Sequence, residues 1–369
     1  MKSLSLWEYA LNPEVDNLAE GVILYGAGVN AVRFIVYCER ERPDIDILCI
    51  ADADITKQGG DLLGIPIVAP EGLAKYGVHT CIIVTPTKYC IAISEKLNML
   101  GFNRILYYNS WCSYVMGSIR KKSEDILCMR KELDEILEDN AEKIAFVRES
   151  LKHDAKSLEV FNAKLDSTFW GRHIALEALH EDNQYFPRDI ITVSEREVFV
   201  DCGAYDGGTT LDFFRRGGHF SYVFEPDPLQ YVVTKMTLEF EKIANYEIYN
   251  LGVSDHEGEL RFSSKDVGAS RIAEDGDMVI EVTSLDALLL DKPIRPTFIK
   301  MDIEGAEMEG LEGARQIIAR DHPKLAISAY HGRVHLWEIP YWIKTNFPEY
   351  QMYMRQHSNN TETVCYALK

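Results

Sequence analysis

The residues best suited to chemistry lie at the ends of short apolar runs in the second half of the chain. In EVFVDCGAYDGGTT the run ends at Asp201, and Gly203, Gly207 and Gly208 follow before a helix predicted from about Thr210. Glycines there permit a tight turn and let a ligand approach the backbone closely. SYVFEPD ends at Glu225, where a carboxylate can accept hydrogen bonds from both hydroxyls of a ribose, each contributing about 1.5–3 kcal/mol. A plainer role is open as well, the cap of a helix starting near Pro226 and Asp227. LGVSDHEG places Asp255 where a short acid can accept from an adenine amino group or simply close an Asx turn. TFIKMDIEGAEMEGL gathers Asp302, Glu304 and Glu307 around a glycine, a crowding of carboxylates with few structural reasons.

A reaction that removes a hydroxyl proton needs a base, and a placed base contributes about 10²–10⁴ in rate. His331 follows the run AISAY directly and is the first candidate, with His335, His357, Asp302 and Glu304 as rivals. His331 is equally suited to a loop hydrogen bond with backbone. Asp302 and Glu304 lack a dedicated third ligand, so no metal is assigned to them. Tyr185, Tyr205 and Tyr330 are placed to line a pocket or to fill core.

A second glycine turn lies near the amino terminus. VILYGAGVNAVRF sets Gly26, Gly28 and Ala31 in a G-x-G-x-x-A pattern between a strand and a helix, and IADAD ends at Asp52 and Asp54 about twenty residues later. This is a dinucleotide-type fingerprint with an acid for a ribose. The alternative is a scaffold that kept the glycines for packing and assists dimerisation.

These segments need elements to hold them. Over residues 20–112 the runs GVILYGAG, IDILCIADAD, TCIIVTP and RILYYN alternate with helical stretches, which predicts about four strands of a parallel sheet covered on both faces. From Ile119 to about Asn183 the apolar residues fall at helical spacing, Ile126, Leu133, Leu137, Ile144, Val147 and Leu151 among them, predicting a helical connector or a dimerising coiled coil. After Pro187 come EVFVDCG, SYVFEPD, YEIYNLGVSD, PTFIKMD and KLAISAY, then QMYMRQ and TVCYAL around HSNNTE. Five strands separated by helices and a closing hairpin predict a doubly wound α/β sheet with an antiparallel edge.

The ordered motifs NQYFP, EVFVDCGAYDGGTT, FEPDP, GVSDHEG, MVIEVTSLDALL and FIKMDIEGAEMEGLEGA resemble the FkbM-type methyltransferases over about residues 180 to 369. That family is one of O-methyltransferases dependent on S-adenosylmethionine. The resemblance implies a class I, Rossmann-like methyltransferase domain over 186–369, while the patterns ahead of it give a smaller Rossmann-like domain over 1–112 and a helical connector over 113–185. It implies Asp201, Gly203, Tyr205 and Gly207 around the methionine part of the cofactor, Glu225 on ribose, Asp255 near adenine and Asp302 facing the reaction centre. Cys202 departs from the small residue or glycine of many relatives. The front domain, with GIPIVAPEGL, looks like the small domain preceding some sugar-modifying transferases, which implies a nucleotide or sugar nucleotide at Gly26, Gly28 and Asp52. The expected acceptor is a hydroxyl of a glycan, sugar nucleotide or natural product.

The whole chain sets bounds on partners. With 369 residues, 46% hydrophobic and 26% charged, two domains can each bury a core. A net charge of -19, from 58 acidic and 39 basic residues, repels polyanions, so no nucleic-acid partner is expected. The cysteines at 38, 49, 81, 90, 112, 128, 202 and 365 form no paired motif, which suits a reducing cytoplasm. Glu8 interrupts the first apolar stretch before it reaches signal-peptide length, and no run is long enough for a membrane span. A homodimer is compatible with the helical segment. Two other readings remain open: a sensor that binds a nucleotide and the methyl-donor cofactor without turnover, and a nicotinamide dehydrogenase built on the front domain.

Overall fold

The computed structural model describes residues 4–5, 21–41, 43–86, 89–108, 123–170, 174–263, 271–272, 278–358 and 361–369. The chain divides into two compact units, Met1–Ala141 with Asn162–Leu179, and Glu142–Phe161 with His180–Lys369.

Unit 1 is built on a seven-stranded sheet of β1 (Leu4–Ser5), β2 (Val22–Tyr25), β3 (Ile47–Ala51), β4 (Asp61–Leu62), β5 (Ile65–Val68), β6 (Cys81–Val84) and β7 (Ile105–Tyr107). Its order is β1-β7-β6-β2-β3-β5-β4, parallel except for the β4–β5 pair. Helices α1 (Val29–Glu41) and α2 (Cys90–Met99) and a 3₁₀ turn (Pro70–Lys75) connect the strands. Alternate residues of β2 enter different cores. Val22 and Leu24 pack with Phe34, Ile50 and Ile83, while Ile23 and Tyr25 pack with Cys49, Ile82 and Leu97. That two-sided burial explains the unbroken apolar runs of the sequence. The four expected strands are β2, β3, β6 and β7. Three were not anticipated: β1 and β4 have two residues each, too few to show a period, and Pro66 interrupts β5.

The helical stretch comprises α3 (Ser123–Asp139), α4 (Ala141–Ser150), α5 (Ala155–Trp170) and α6 (Ile174–Glu177), and its residues are shared between the two units. Within unit 2, Arg355 anchors part of it. That guanidinium is buried and hydrogen-bonds Asp154 at 2.7 Å and Asp189 at 2.8 Å. No described helix is long and apolar enough to cross a membrane.

Unit 2 carries β8 (Val198–Cys202), α7 (Gly208–Arg215), β9 (Phe220–Phe224), α8 (Pro228–Phe240), β10 (Tyr246–Tyr249), β11 (Gly252–Val253), β12 (Gly258–Ser263), β13 (Arg271–Ile272), β14 (Met278–Thr283) and α9 (Leu285–Leu289). It continues through β15 (Phe298–Met301), α10 (Glu307–Glu312), α11 (Arg315–Asp321), β16 (Lys324–Ser328), α12 (His335–Asn346), β17 (Gln351–Gln356) and β18 (Thr363–Leu368). The main sheet runs β10-β9-β8-β15-β16-β18-β17, with β18 antiparallel to both neighbours. This is the predicted α/β fold with a terminal hairpin. Chain order reverses between β8 and β15, the point at which open α/β sheets leave a crevice at their carboxyl ends. Phe199 stacks on Phe213 at 4.9 Å and packs against Phe298 at 5.1 Å and Phe186 at 5.7 Å, giving the adjoining strands a rigid aromatic base.

One expected strand is divided. YEIYNLGVSD forms β10 in the main sheet, then turns at Asn250 so that β11 joins a separate sheet of order β11-β14-β12-β13. Asn250 Nδ2 holds the break by donating to the carbonyls of Glu225 at 2.8 Å and Pro226 at 2.9 Å.

Candidate active site

At the switch between β8 and β15 the chain must turn sharply, and Gly203 makes the turn possible. Its φ is +83°, and a Cβ there would stand 2.0 Å from the Asp302 carbonyl oxygen. No side chain fits. Beyond it Tyr205 donates its backbone N–H to Glu225 Oε2 at 2.7 Å, and Asp227 donates to Glu225 Oε1 at 2.9 Å. Glu225 therefore clamps the glycine turn to the end of β9. The capping role belongs to Asp227, whose Oδ1 accepts from Leu229 and Gln230 at the start of α8. Each Glu225 oxygen keeps a second lone pair for a ligand. Burial pushes its carboxyl up to about 7, against the pull of the two backbone donors and Lys300.

Asp201 and Lys300 lie beneath the turn. Both are buried, with Lys300 Nζ 2.9 Å from Asp201 Oδ1 as an ion pair outside hydrogen-bonding angles. Thr210 donates to Asp201 Oδ2 at 2.6 Å, and Lys300 donates to the carbonyls of Gly203 at 2.6 Å and Cys202 at 3.2 Å. Burial works against the ammonium, but Asp201 and Asp302 outweigh it and hold the group above its ordinary value. Lys300 fixes the two carbonyls that shape the turn. It escaped the sequence reading because a lysine in a strand resembles a solvent-facing position.

A cavity of about 360 Å³ opens over this floor, bordered by Gly203, Tyr205 and Glu225 at one part of its lining and by Asp302, Glu304 and Tyr330 at another. Leu251, Val253, Ile280 and Val282 give it an apolar wall, two of them from β14 in the separate sheet. Four non-glycine residues on its border hold positive φ: Tyr185 (+68°), Tyr205 (+54°), Glu304 (+54°) and Glu362 (+43°). Such conformations cost roughly 1–3 kcal/mol each and tend to gather at functional sites.

Asp302 accepts from Tyr185 at 2.7 Å on Oδ2 and from Tyr330 at 3.0 Å on Oδ1. Glu304 is held above the ordinary carboxylate range by burial first, while the charge of His331 opposes the shift. His331 lies behind these acids: it does not border the cavity, and its Nε2 is buried without a hydrogen bond, 3.3 Å from Glu304 Oε2 and 3.5 Å from Asp302 Oδ1. Of these three candidate catalytic residues, Asp302 and Glu304 border the cavity and His331 does not. His335 sits beside Glu307, 3.2 Å from Oε2. His357 is committed elsewhere, facing the Glu181 carbonyl and the Tyr366 hydroxyl, and burial lowers it to about 4.

Three expected cofactor contacts stand off the cavity border. Asp201 is spent on Lys300 and Thr210, and Gly207 starts α7 with φ +81°. Asp255 turns to His256 Nδ1 at 2.6 Å, and in this conformation it is not on the cavity wall. Among the described residues no group of three His, Cys, Asp or Glu is disposed to hold a metal ion.

Unit 1 repeats the clamp. Gly26 has φ +103°, and a Cβ there would meet Pro86 Cδ at 2.7 Å. Ala27 N donates to Asp52 Oδ2 at 2.7 Å and Asp54 N to Asp52 Oδ1 at 2.8 Å, with Lys57 Nζ at 3.1 Å. Burial works to raise Asp52, but these partners prevail and lower it. Gly28 has open space where a Cβ would be, so packing does not require a glycine there. Asp54 caps its own turn through Thr56.

Residues 201–360 match the family model of the methyltransferase FkbM domain. Together with the fold, this supports a methyltransferase. The chain is similar in fold to the crystal structure of methyltransferase FkbM from Methylobacillus flagellatus KT, at 21% identity and TM-score 0.69, over 99% of this chain and 94% of that one. Two further structures are similar over 48% of this chain and 90% of their own. One is an rRNA methylase from Streptococcus thermophilus, at 17% identity and TM-score 0.33. The other is a Streptococcus mutans protein described as a methyltransferase in complex with SAH, at 14% identity and TM-score 0.32. No curated protein matches the chain.

Proposed function

We propose that this chain is an S-adenosylmethionine-dependent O-methyltransferase acting on a hydroxyl of a glycan, sugar nucleotide or natural product. The observation that carries the reading is one cavity bordered by both the Gly203–Glu225 clamp and the Asp302–Glu304 pair. The residues fit the cofactor: Glu225 offers lone pairs to a ribose, the Gly203 turn leaves room for close approach, and Leu251, Val253 and Ile280 suit an adenine ring. Bound there, the cofactor would supply an electrophilic methyl group to the acceptor oxygen and would keep the electron pair of its S–CH₃ bond on sulfur, while the hydroxyl proton would pass to the protein. Asp302, braced by two tyrosine hydroxyls, orients the acceptor, and Glu304 beside it meets the proton. Holding the reactants in line can contribute about 7–11 kcal/mol.

Calorimetry with S-adenosylmethionine and transfer of labelled methyl to pooled glycans and cell extract test this. Binding with transfer supports the enzyme. Binding without any labelled product supports a sensor, and no binding at all removes both readings.

In unit 1, the repeat of the clamp at Gly26 and Asp52 favours a nucleoside-containing ligand such as a sugar nucleotide. Calorimetry with a sugar nucleotide on the wild type and on Asp52→Ala tests that site, and equal heats for the two proteins would exclude it.

A further inference from the structure

Glu307 is a carboxylate with no solvent exposure, one layer below the cavity, and it has collected an unusual set of partners. His331 Nδ1 lies 2.8 Å from Oε1, which also accepts the backbone N–H of Ile303 at 3.0 Å, and His335 Nδ1 lies 3.2 Å from Oε2. Burial alone would raise this carboxyl, yet the two histidines and the Ile303 N–H bring it down to about 2. With the Ile303 N–H and both histidine Nδ1 atoms turned toward its oxygens, it is placed as a hydrogen-bond acceptor. The proton of a neutral His331 must then sit on Nδ1, leaving the lone pair on Nε2. The His331 side chain is nine-tenths buried, and its Nε2 lacks a hydrogen-bond partner and faces Glu304.

We propose that Glu304, His331 and Glu307 form a proton relay, in which Glu304 takes the acceptor's hydroxyl proton at the cavity wall and His331 Nε2 draws it inward while Glu307 holds the ring. The proposal rests on the methyl-transfer reading above and assigns its proton. Ionised Glu304 becomes the acid, then returns to carboxylate as the proton moves to Nε2. The imidazolium so formed faces Asp302, Glu304 and Glu307, with His335 across Glu307 and the Tyr330 ring packed 4.1 Å away. The proton returns through Glu304 to water after the product leaves. Glu304 is the catalytic residue of the three, and Glu307 is a positioning residue. The three facing carboxylates hold His331 above its ordinary value although burial acts the other way, so the relay runs at pH above that midpoint, where Nε2 carries a lone pair.

The test is nitrogen NMR of the full chain labelled with ¹⁵N-histidine, with His331→Asn identifying the His331 signals. In the wild type, neutral His331 should carry its proton on Nδ1 alone and titrate above 6.5. Glu304→Gln should lower the midpoint by about one unit, and Glu307→Gln should lower it further and mix the two tautomers. A wild-type proton on Nε2 would overturn the relay, as would a midpoint indifferent to Glu304→Gln. Glu304 borders a cavity, so its variant keeps the core intact and provides the decisive arm if Glu307→Gln does not fold. Failure of the methyl-transfer reading would show separately, as no heat with S-adenosylmethionine while the titration behaves as described.

Discussion

Cofactor binding should release a proton at Glu225. Burial holds this carboxyl at about 7 against an ordinary value of 4.5, so near pH 7 it is half protonated in the free protein. Ribose hydroxyls donate to the ionised form, so binding competes with the proton and the apparent Kd varies as 1 + 10^(pKa − pH). Between pH 6 and pH 8 that factor falls from about 11 to about 1.1, a tenfold gain in affinity worth about 1.4 kcal/mol. Stability of the free protein runs the other way. The folded state binds this proton more tightly than the unfolded chain, so the contribution is full below 4.5 and is lost as pH rises through about 7. Calorimetry in two buffers of different ionisation enthalpy reads both affinity and proton count, with about 0.9 proton released at pH 6. Glu225→Gln should bind more weakly and show no such dependence. An affinity that changes less than about twofold from pH 6 to pH 8, with no proton release and no loss of affinity in Glu225→Gln, would refute the ribose assignment.

Lys300→Met should leave Asp201 as a buried unpaired charge and cost about 3–5 kcal/mol, read as a shift of the urea unfolding midpoint; a loss below about 1 kcal/mol would mean the ion pair does not support the turn. Gly203→Ala should abolish cofactor binding in calorimetry because its Cβ meets the Asp302 carbonyl oxygen, and normal binding would show that the turn can move. Asp255→Ala should change cofactor affinity less than about twofold, since the side chain faces His256; a tenfold loss would restore the adenine contact.

The fold was legible where apolar runs were long enough to show a period and ended in glycine and acid. β8 with Gly203, and β9 with Glu225, are of that kind. The helix cap, left open in the sequence between Glu225 and Asp227, falls to Asp227 because Pro228 occupies the first turn of α8. The separate sheet was hidden because YEIYNLGVSD reads as one strand, and only the Asn250 side chain reveals the break. Lys300 and the layering of His331 behind Glu304 were not legible for a different reason. A lysine gives no sign of whom it pairs with, and the depth of a histidine depends on contacts between β15, α10 and the loop after β16, which are distant in sequence.

The left-handed backbone at Tyr205 has a practical consequence. Of the four such residues around the cavity it alone is nearly half exposed, at 47%, so glycine would relieve the conformation with little packing lost. A program of heat-hardening this scaffold would reach Tyr205→Gly early and gain about 1 kcal/mol there. It would also remove a side chain from the cavity border, so the toughest descendants should be selected for ligand retention as well as melting temperature.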